Sequence, residues 1–182
     1  KLIESCVLAR HYASALDLTR QGRAMLVGGV GRAPSTNPAV VFYGEELGRW
    51  VEKGAVEPDG GRVITCVKSI RGGGHNSLLF CCGVHGAANT LCYYDATRQN
   101  VLRDYHEHSD IITCLFSPSD RENLVFSGSR DCTVCLYDLR MPQPTGQQFT
   151  HHYSTVTAID GFGDYVITGG LDKRIMVHDQ RM

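Results

Sequence analysis

A recurrence constrains this chain more than any other feature. Residues 166–179, VITGGLDKRIMVHD, lie under residues 125–138, VFSGSRDCTVCLYD, without a gap. Gly128 falls on Gly169, Asp131 on Asp172 and Asp138 on Asp179. Two further copies stand upstream with longer turns: LLFCCGVHGAANTLCYYD at 78–95 and AMLVGGVGRAPSTNPAVVFYG at 24–44. Each copy is two short apolar runs joined by turn residues, the signature of a hairpin. The copies close on Tyr43, Tyr94, Tyr137 and His178, a period of about 45 residues. One unit of that size cannot bury its own apolar surface, so neighbours must stack.

A second landmark precedes the hairpins. HYASALDL (11–18), HSDIITCLF (108–116) and HYSTVTAID (152–160) each place a His four residues before an apolar position: Ala15, Ile112 and Val156. Before VITCVKSI (63–70), Gly60 stands where the His would be. In the third copy, alternation places Ile112, Cys114 and Phe116 on one strand face and Thr113 and Leu115 on the other. Leu124 and Phe126 then oppose Val125 and Ser127, and Val134 and Leu136 oppose Thr133, Cys135 and Tyr137. Both faces are largely apolar. A sheet with one wet face would alternate cleanly between apolar and polar. These small sheets are therefore expected to be covered on both sides by sheets like themselves. Connections are built from Gly, Asn, Asp, Ser and Pro, as strand turns require. Stacked antiparallel sheets of this period predict a β-propeller in preference to a solenoid.

The units resemble WD repeats, specifically in the third and fourth copies and in diluted form in the first two. The resemblance implies an all-β propeller of WD-repeat type, with four blades in this chain and a larger, seven-bladed ring around them. In that family a His, a Ser or Thr, a turn Asp and a Trp form a hydrogen-bonded network. The matching positions are His108, Ser127, Asp131 and Tyr137 in the third unit, and His152, Thr168, Asp172 and His178 in the fourth. No unit has the family's Trp; the single Trp is Trp50, between units. Unit two carries Gly60 and Cys82, and unit one Val27, at network positions, so packing is expected to hold those two blades.

A blade needs a fourth, outer strand. GRWVEKGAV (48–56), NVLRDYHE (100–107) and GQQFTHHY (146–153) are the candidates, with KLIESCVLAR (1–10) before the first unit. Repeats are thus expected at 1–47, 48–98, 99–140 and 141–182. Residues 1–10 either clasp the fourth blade into a closed ring or begin an open arc cut from a longer propeller. An open arc leaves an apolar face bare at each end. The long turns at 30–38 and 84–89 break the repeat pattern.

Charge and cysteine content narrow the function classes. Eighteen basic and 19 acidic residues give a net charge of −1, so no whole-domain attraction to nucleic acid or to an anionic membrane is expected. No apolar run reaches the length of a membrane span. Eight cysteines sit mostly inside apolar runs and read as small buried hydrophobes of a reducing compartment, cytoplasm or nucleus.

No cofactor or metal is expected. GGVG (28–31) and GGGHN (72–76) are Gly-rich, but no helix pattern follows either, as a phosphate cradle demands. Cys132 and Cys135 have ligand-like spacing, yet zinc needs two more ligands nearby. His106, His108, His151 and His152 suggest a metal or a base, but one of each pair is the repeat's own His. A Ser–His–Asp set recurs at the repeat period, whereas a catalytic triad would occur once. The chain is therefore not expected to be an enzyme.

The expected function is a non-catalytic scaffold that binds protein or peptide partners through face loops. Carried over from the family's binding face, the contact positions are Val63, Thr65, Ile111, Thr113, Arg130, Thr155, Thr157 and Leu171. A narrower reading rests on the Asp-x-Arg endings, Asp138 with Arg140 and Asp179 with Arg181. These resemble the box by which some WD-repeat proteins dock on the adaptor of cullin-type ubiquitin ligases. A propeller-based hydrolase is the remaining alternative.

Overall fold

A computed structural model describes residues 11–18, 24–31, 39–47, 49–57, 63–72, 75–83, 90–95, 98–141, 148–149 and 151–181. Every regular element among them is a β-strand. The first sheet is β1 (His11–Leu18), β2 (Ala24–Gly31), β3 (Ala39–Glu46) and β4 (Arg49–Val56). The second is β5 (Val63–Gly72), β6 (His75–Gly83), β7 (Thr90–Asp95) and β8 (Asn100–Tyr105). The third is β9 (Ile112–Phe116), β10 (Leu124–Ser129), β11 (Val134–Asp138) and β12 (Gln148–Phe149). The fourth is β13 (Val156–Phe162), β14 (Tyr165–Gly170) and β15 (Ile175–Asp179). Within each sheet the strands follow chain order and pair antiparallel. The outer strand between two units thus completes the sheet before it. Residues 1–10 and the long turns lie outside the described residues, apart from Val30 and Gly31 at the end of β2.

The core lies between sheets. Val40, Phe42 and Val56 of the first sheet pack on Ile64, Val67, Cys92 and Tyr94 of the second. Cys66, Ile70, Leu91 and Tyr105 of the second meet Ile112, Val125, Cys135, Tyr137 and Leu139 of the third. Phe126, Val134 and Leu136 of the third meet Val156 and Val166 of the fourth. Each such side chain, fully buried, contributes ~1.5–3 kcal/mol of transfer free energy. The β-branched and aromatic residues that dominate these runs suit a strand buried on both faces.

All four first strands share one irregularity. The register shifts between Ala13 and Ala15, between Ile64 and Cys66, beside Ile112 and Cys114, and between Val156 and Ala158. A bulge adds one residue and reverses the alternation beyond it. Ile112 therefore packs with Leu115 toward the second sheet, while Cys114 and Phe116 face the fourth. This corrects the simple alternation expected for 112–116. It also makes Ala13, not Ala15, the counterpart of Ile112 and Val156. His11 accordingly lies within β1, opposite Gly31, and is not the equivalent of His108 and His152, which precede their strands.

Candidate functional site

The third sheet joins its four network residues. His108 is 1% exposed. Its Nδ1 stands 2.9 Å from Asp131 Oδ2 and its Nε2 2.6 Å from Ser127 Oγ. The Ser127 hydroxyl donates to the Tyr137 oxygen at 3.4 Å. Burial opposes a charge on His108, but the bonds to Asp131 and Cys135 outweigh it and push the pKa up to about 9. Burial likewise opposes ionisation of Asp131, yet His108 and Thr133 hold it well below the usual carboxylate range. An imidazolium donates from both nitrogens. In that charge state His108 donates to Asp131 on one side and to Ser127 on the other, and Ser127 donates to Tyr137.

Asp131 also organises its own turn. It accepts from the Ser109 and Thr133 amides at 2.9 and 3.0 Å and from the Thr133 hydroxyl at 2.6 Å. The next residue, Cys132, takes a φ of 71°. Lys173, after Asp172, takes 65°. Two short turns with different side chains share one left-handed position, and in each the Asp carboxylate accepts the amide two residues on.

The fourth sheet repeats the arrangement with two substitutions, Thr168 for Ser127 and His178 for Tyr137. His152 Nδ1 lies 3.0 Å from Asp172 Oδ2 and Nε2 2.8 Å from Thr168 Oγ1. His178 Nε2 stands 3.3 Å from Thr168 Oγ1, where Tyr137 stands in the third. Burial, then the nearby His151 and His152, push the His178 pKa below its ordinary value. Its ring lies against Phe149, tilted at 4.9 Å between centroids, and stacks with His151 at 5.6 Å. At the unit-two position, the Cys82 side chain lies outside the described residues, as does that of Val27 in unit one.

These buried sets hold two loop clusters in place, and the loops carry the expected contact positions. Arg130 is exposed, its Nε 3.5 Å from Asp110 Oδ2. Its amide donates to the Ile111 carbonyl at 2.8 Å. The Leu171 amide donates to the Thr155 carbonyl at 2.9 Å in the same way, and Leu171 is 64% exposed. Sequence reasoning missed Tyr153 beside it, 77% exposed, with the Arg174 guanidinium 4.7 Å over its ring. An aromatic directly after the repeat His was the available signal.

Thr113 differs from a free surface group: its hydroxyl is shared between the Gly128 and Val156 carbonyls. Thr157, its counterpart, is exposed and donates to the Gly169 carbonyl at 3.2 Å. Thr65 is half-buried beside Cys66. The Val63 side chain lies outside what the structure describes.

The Asp-x-Arg endings fold back on themselves. Arg140 Nη2 donates to Asp138 Oδ2 at 2.5 Å and Nε to Oδ1 at 2.9 Å. Arg181 makes the same fork to Asp179, at 2.6 and 2.9 Å. The fork holds Asp179 down to about 2. Both guanidinium groups stay exposed. At the second unit, Asp95 accepts from the Arg98 amide at 3.1 Å and lies 3.7 Å from Arg98 Nε, a looser pair at a spacing one residue longer.

Among the described residues no group of three or more His, Cys, Asp or Glu is placed to hold a metal ion. Cys132 and Cys135 are free thiols. The side chains of Cys81 and Cys82, and His85, lie outside the description.

Comparison with known proteins agrees with this geometry. Residues 99–138 and 143–179 match the family described as WD domain, G-beta repeat. None of the curated proteins matches the sequence. A chain of the crystal structure of the mitotic checkpoint complex superposes with a TM-score of 0.74 at 20% identity, over 94% of this chain and 49% of that one. The present chain thus spans about half the length of that solved chain. Residues 99–179 carry WD repeats, set in an all-β architecture of propeller type.

Proposed function

We propose that this chain is a non-catalytic interaction scaffold that holds a protein or peptide partner on the loop face of its third and fourth sheets. The carrying observation is the contrast between support and surface. His108, Asp131, His152 and Asp172 are tied down beneath the loops, while Arg130, Tyr153 and Leu171 stand exposed above them. Arg and Tyr are the residue types that anchor interfaces. A scaffold role is also common among WD-repeat proteins, and the structural neighbour was solved within a complex.

The test is a pull-down from cell extract comparing wild type with Arg130→Ala and Tyr153→Ala. Proteins captured by the wild type are expected to fall at least tenfold with either change, while thermal unfolding stays unaltered. Undiminished capture by both variants would remove these residues from the binding site.

A narrower reading is favoured by the matching forks at Asp138–Arg140 and Asp179–Arg181, which present two exposed guanidinium groups at equivalent ends. On that reading the chain is a substrate receptor that docks on a cullin-type ligase adaptor. Arg140→Ala would then release adaptor alone and leave other captured proteins in place.

A further inference from the structure

The fourth unit departs from the third at loop positions that carry charge. Ser109 of the third unit corresponds to Tyr153 of the fourth, Asp110 to Ser154, Cys132 to Lys173 and Thr133 to Arg174. In the third unit Arg130 faces Asp110, its Nε 3.5 Å from Oδ2, and the two charges offset each other. In the fourth, Ser154 replaces that acid while Lys173 and Arg174 add two cations, both exposed. Asp172 is the one carboxylate in loops 151–155 and 170–174. It is turned inward, its side chain 6% exposed and paired with His152. Among the described residues no ion pair takes up Lys173 or Arg174.

Backbone bonds fix the geometry of this patch. Asp172 accepts the Tyr153 and Arg174 amides, both at 3.1 Å, so one buried carboxylate sets the two residues side by side. The Arg174 guanidinium lies 4.7 Å over the Tyr153 ring. Stacked in this way, a guanidinium turns a flat face to the ring and leaves the N–H donors at its edge free. Leu171 stands beside them, 64% exposed. Lys173 takes a φ of 65°, a conformation that glycine adopts without strain, so the turn itself gives no reason for a cation there.

We propose that these loops select an acidic peptide. An apolar side chain of the peptide packs on Leu171 and the Tyr153 ring, and an Asp or Glu next to it pairs with Arg174 and Lys173. This rests on the loop-face reading above and names the chemistry of its partner. Arg holds a carboxylate through two parallel N–H bonds, and the ring beside it keeps water off one face of the pair. A nucleic-acid backbone binds through a longer run of cations, and the neighbouring third-unit loops add none that is unpaired, since Arg130 is engaged by Asp110.

The test is a selection of short random displayed peptides on the full chain at about 0.15 M salt, where distant charges are screened. Peptides whose binding Tyr153→Ala abolishes are retained. They are expected to carry Asp or Glu beside an apolar residue. Changing that acid to Asn or Gln should weaken binding at least tenfold to the wild type, and less than twofold to a chain carrying Lys173→Gln and Arg174→Gln with an unaltered melting temperature. Losses that do not add are the signature of one shared contact, and the change in the peptide tests that contact without altering the chain. Retained peptides without acids, or losses that add, overturn the proposal and leave the loop-face reading standing. A selection from which no peptide depends on Tyr153 overturns both. Binding of an oligo-dT strand or of phosphatidylserine vesicles as tight as that of the peptides, and lost in the same double variant, would make the patch a general anion site and also overturns the proposal.

Discussion

Within the third sheet, a single proton distinguishes the states of the buried network. His108 has a folded-state pKa of about 9 against an ordinary 6.5. A raised value means that its stabilisation is complete below 6.5 and is lost as pH climbs through 9. Asp131 is displaced the opposite way, so its share is complete above 3.8 and lost as pH falls below that. The two shifts describe one pair and are counted once. Asp131→Asn leaves a buried imidazole without its counter-charge and is expected to cost about 3 kcal/mol at neutral pH. The alkaline loss of stability above 6.5 should diminish with it, which urea titrations from pH 5 to pH 9.5 would show. His178 has the reverse sign. Its depressed folded pKa gives stability that is present above 6.5 and is lost as pH falls. His178→Tyr, which restores the residue type of the third unit, should flatten the acid limb between pH 6.5 and 5 and leave pH 8 unaffected. The partners of both histidines were legible in the sequence, since all four positions recur at the repeat spacing. Their charge states were not. Those depend on burial and on Cys135, Thr133 and His151, which the repeat pattern does not single out.

Between sheets, single hydroxyls and bulges set the junctions. Thr113 and Thr157 are equivalent in sequence, but among the described residues only Thr113 has a neighbouring sheet to bond. Thr113→Val is expected to cost about 1–2 kcal/mol, because it removes a half-buried donor from two carbonyls. Thr157→Val should fall within ~0.5 kcal/mol of wild type, as exposed substitutions do. Equilibrium denaturation of the two variants makes the comparison directly. The strands themselves were readable from alternation and turn residues. The bulge was not, since it is a property of pairing between strands and leaves no mark in the period of one. The Ile-Thr-Cys triplet at 64–66 and 112–114 was its one trace. Overlooking it put Ile112 on the wrong face and chose Ala15 where Ala13 is the counterpart.

Across the whole chain, the sheets meet in sequence order, and each junction has its own polar fastening. Asp17 of the first sheet accepts from Lys68 at 3.1 Å and from the Ser69 amide at 2.7 Å in the second. Arg103 of the second donates to the Leu139 and Met141 carbonyls at 3.0 and 2.5 Å beside the third. Arg121 of the third pairs with Asp164 and donates to Gln180 Oε1 at 2.8 Å in the fourth. None of these pairs follows from the repeat: their partners lie 36 to 59 residues apart and occur once each. Stability in such a stack is approximately a sum of unit terms and nearest-neighbour terms. Weakening one junction should therefore act locally. The first and fourth sheets each have one described neighbour, so the fourth is the unit that a change at the junction between the third and fourth can detach. Arg121→Ala removes contacts of half-exposed groups worth ~1 kcal/mol or less apiece, too little to unfold the chain. It is expected to speed amide exchange across 156–179 several-fold while exchange in 63–72 and 90–105 keeps its wild-type rate. Exchange that rises equally in all sheets would mean that the stack opens as one cooperative body, and the additive description of its junctions would fail.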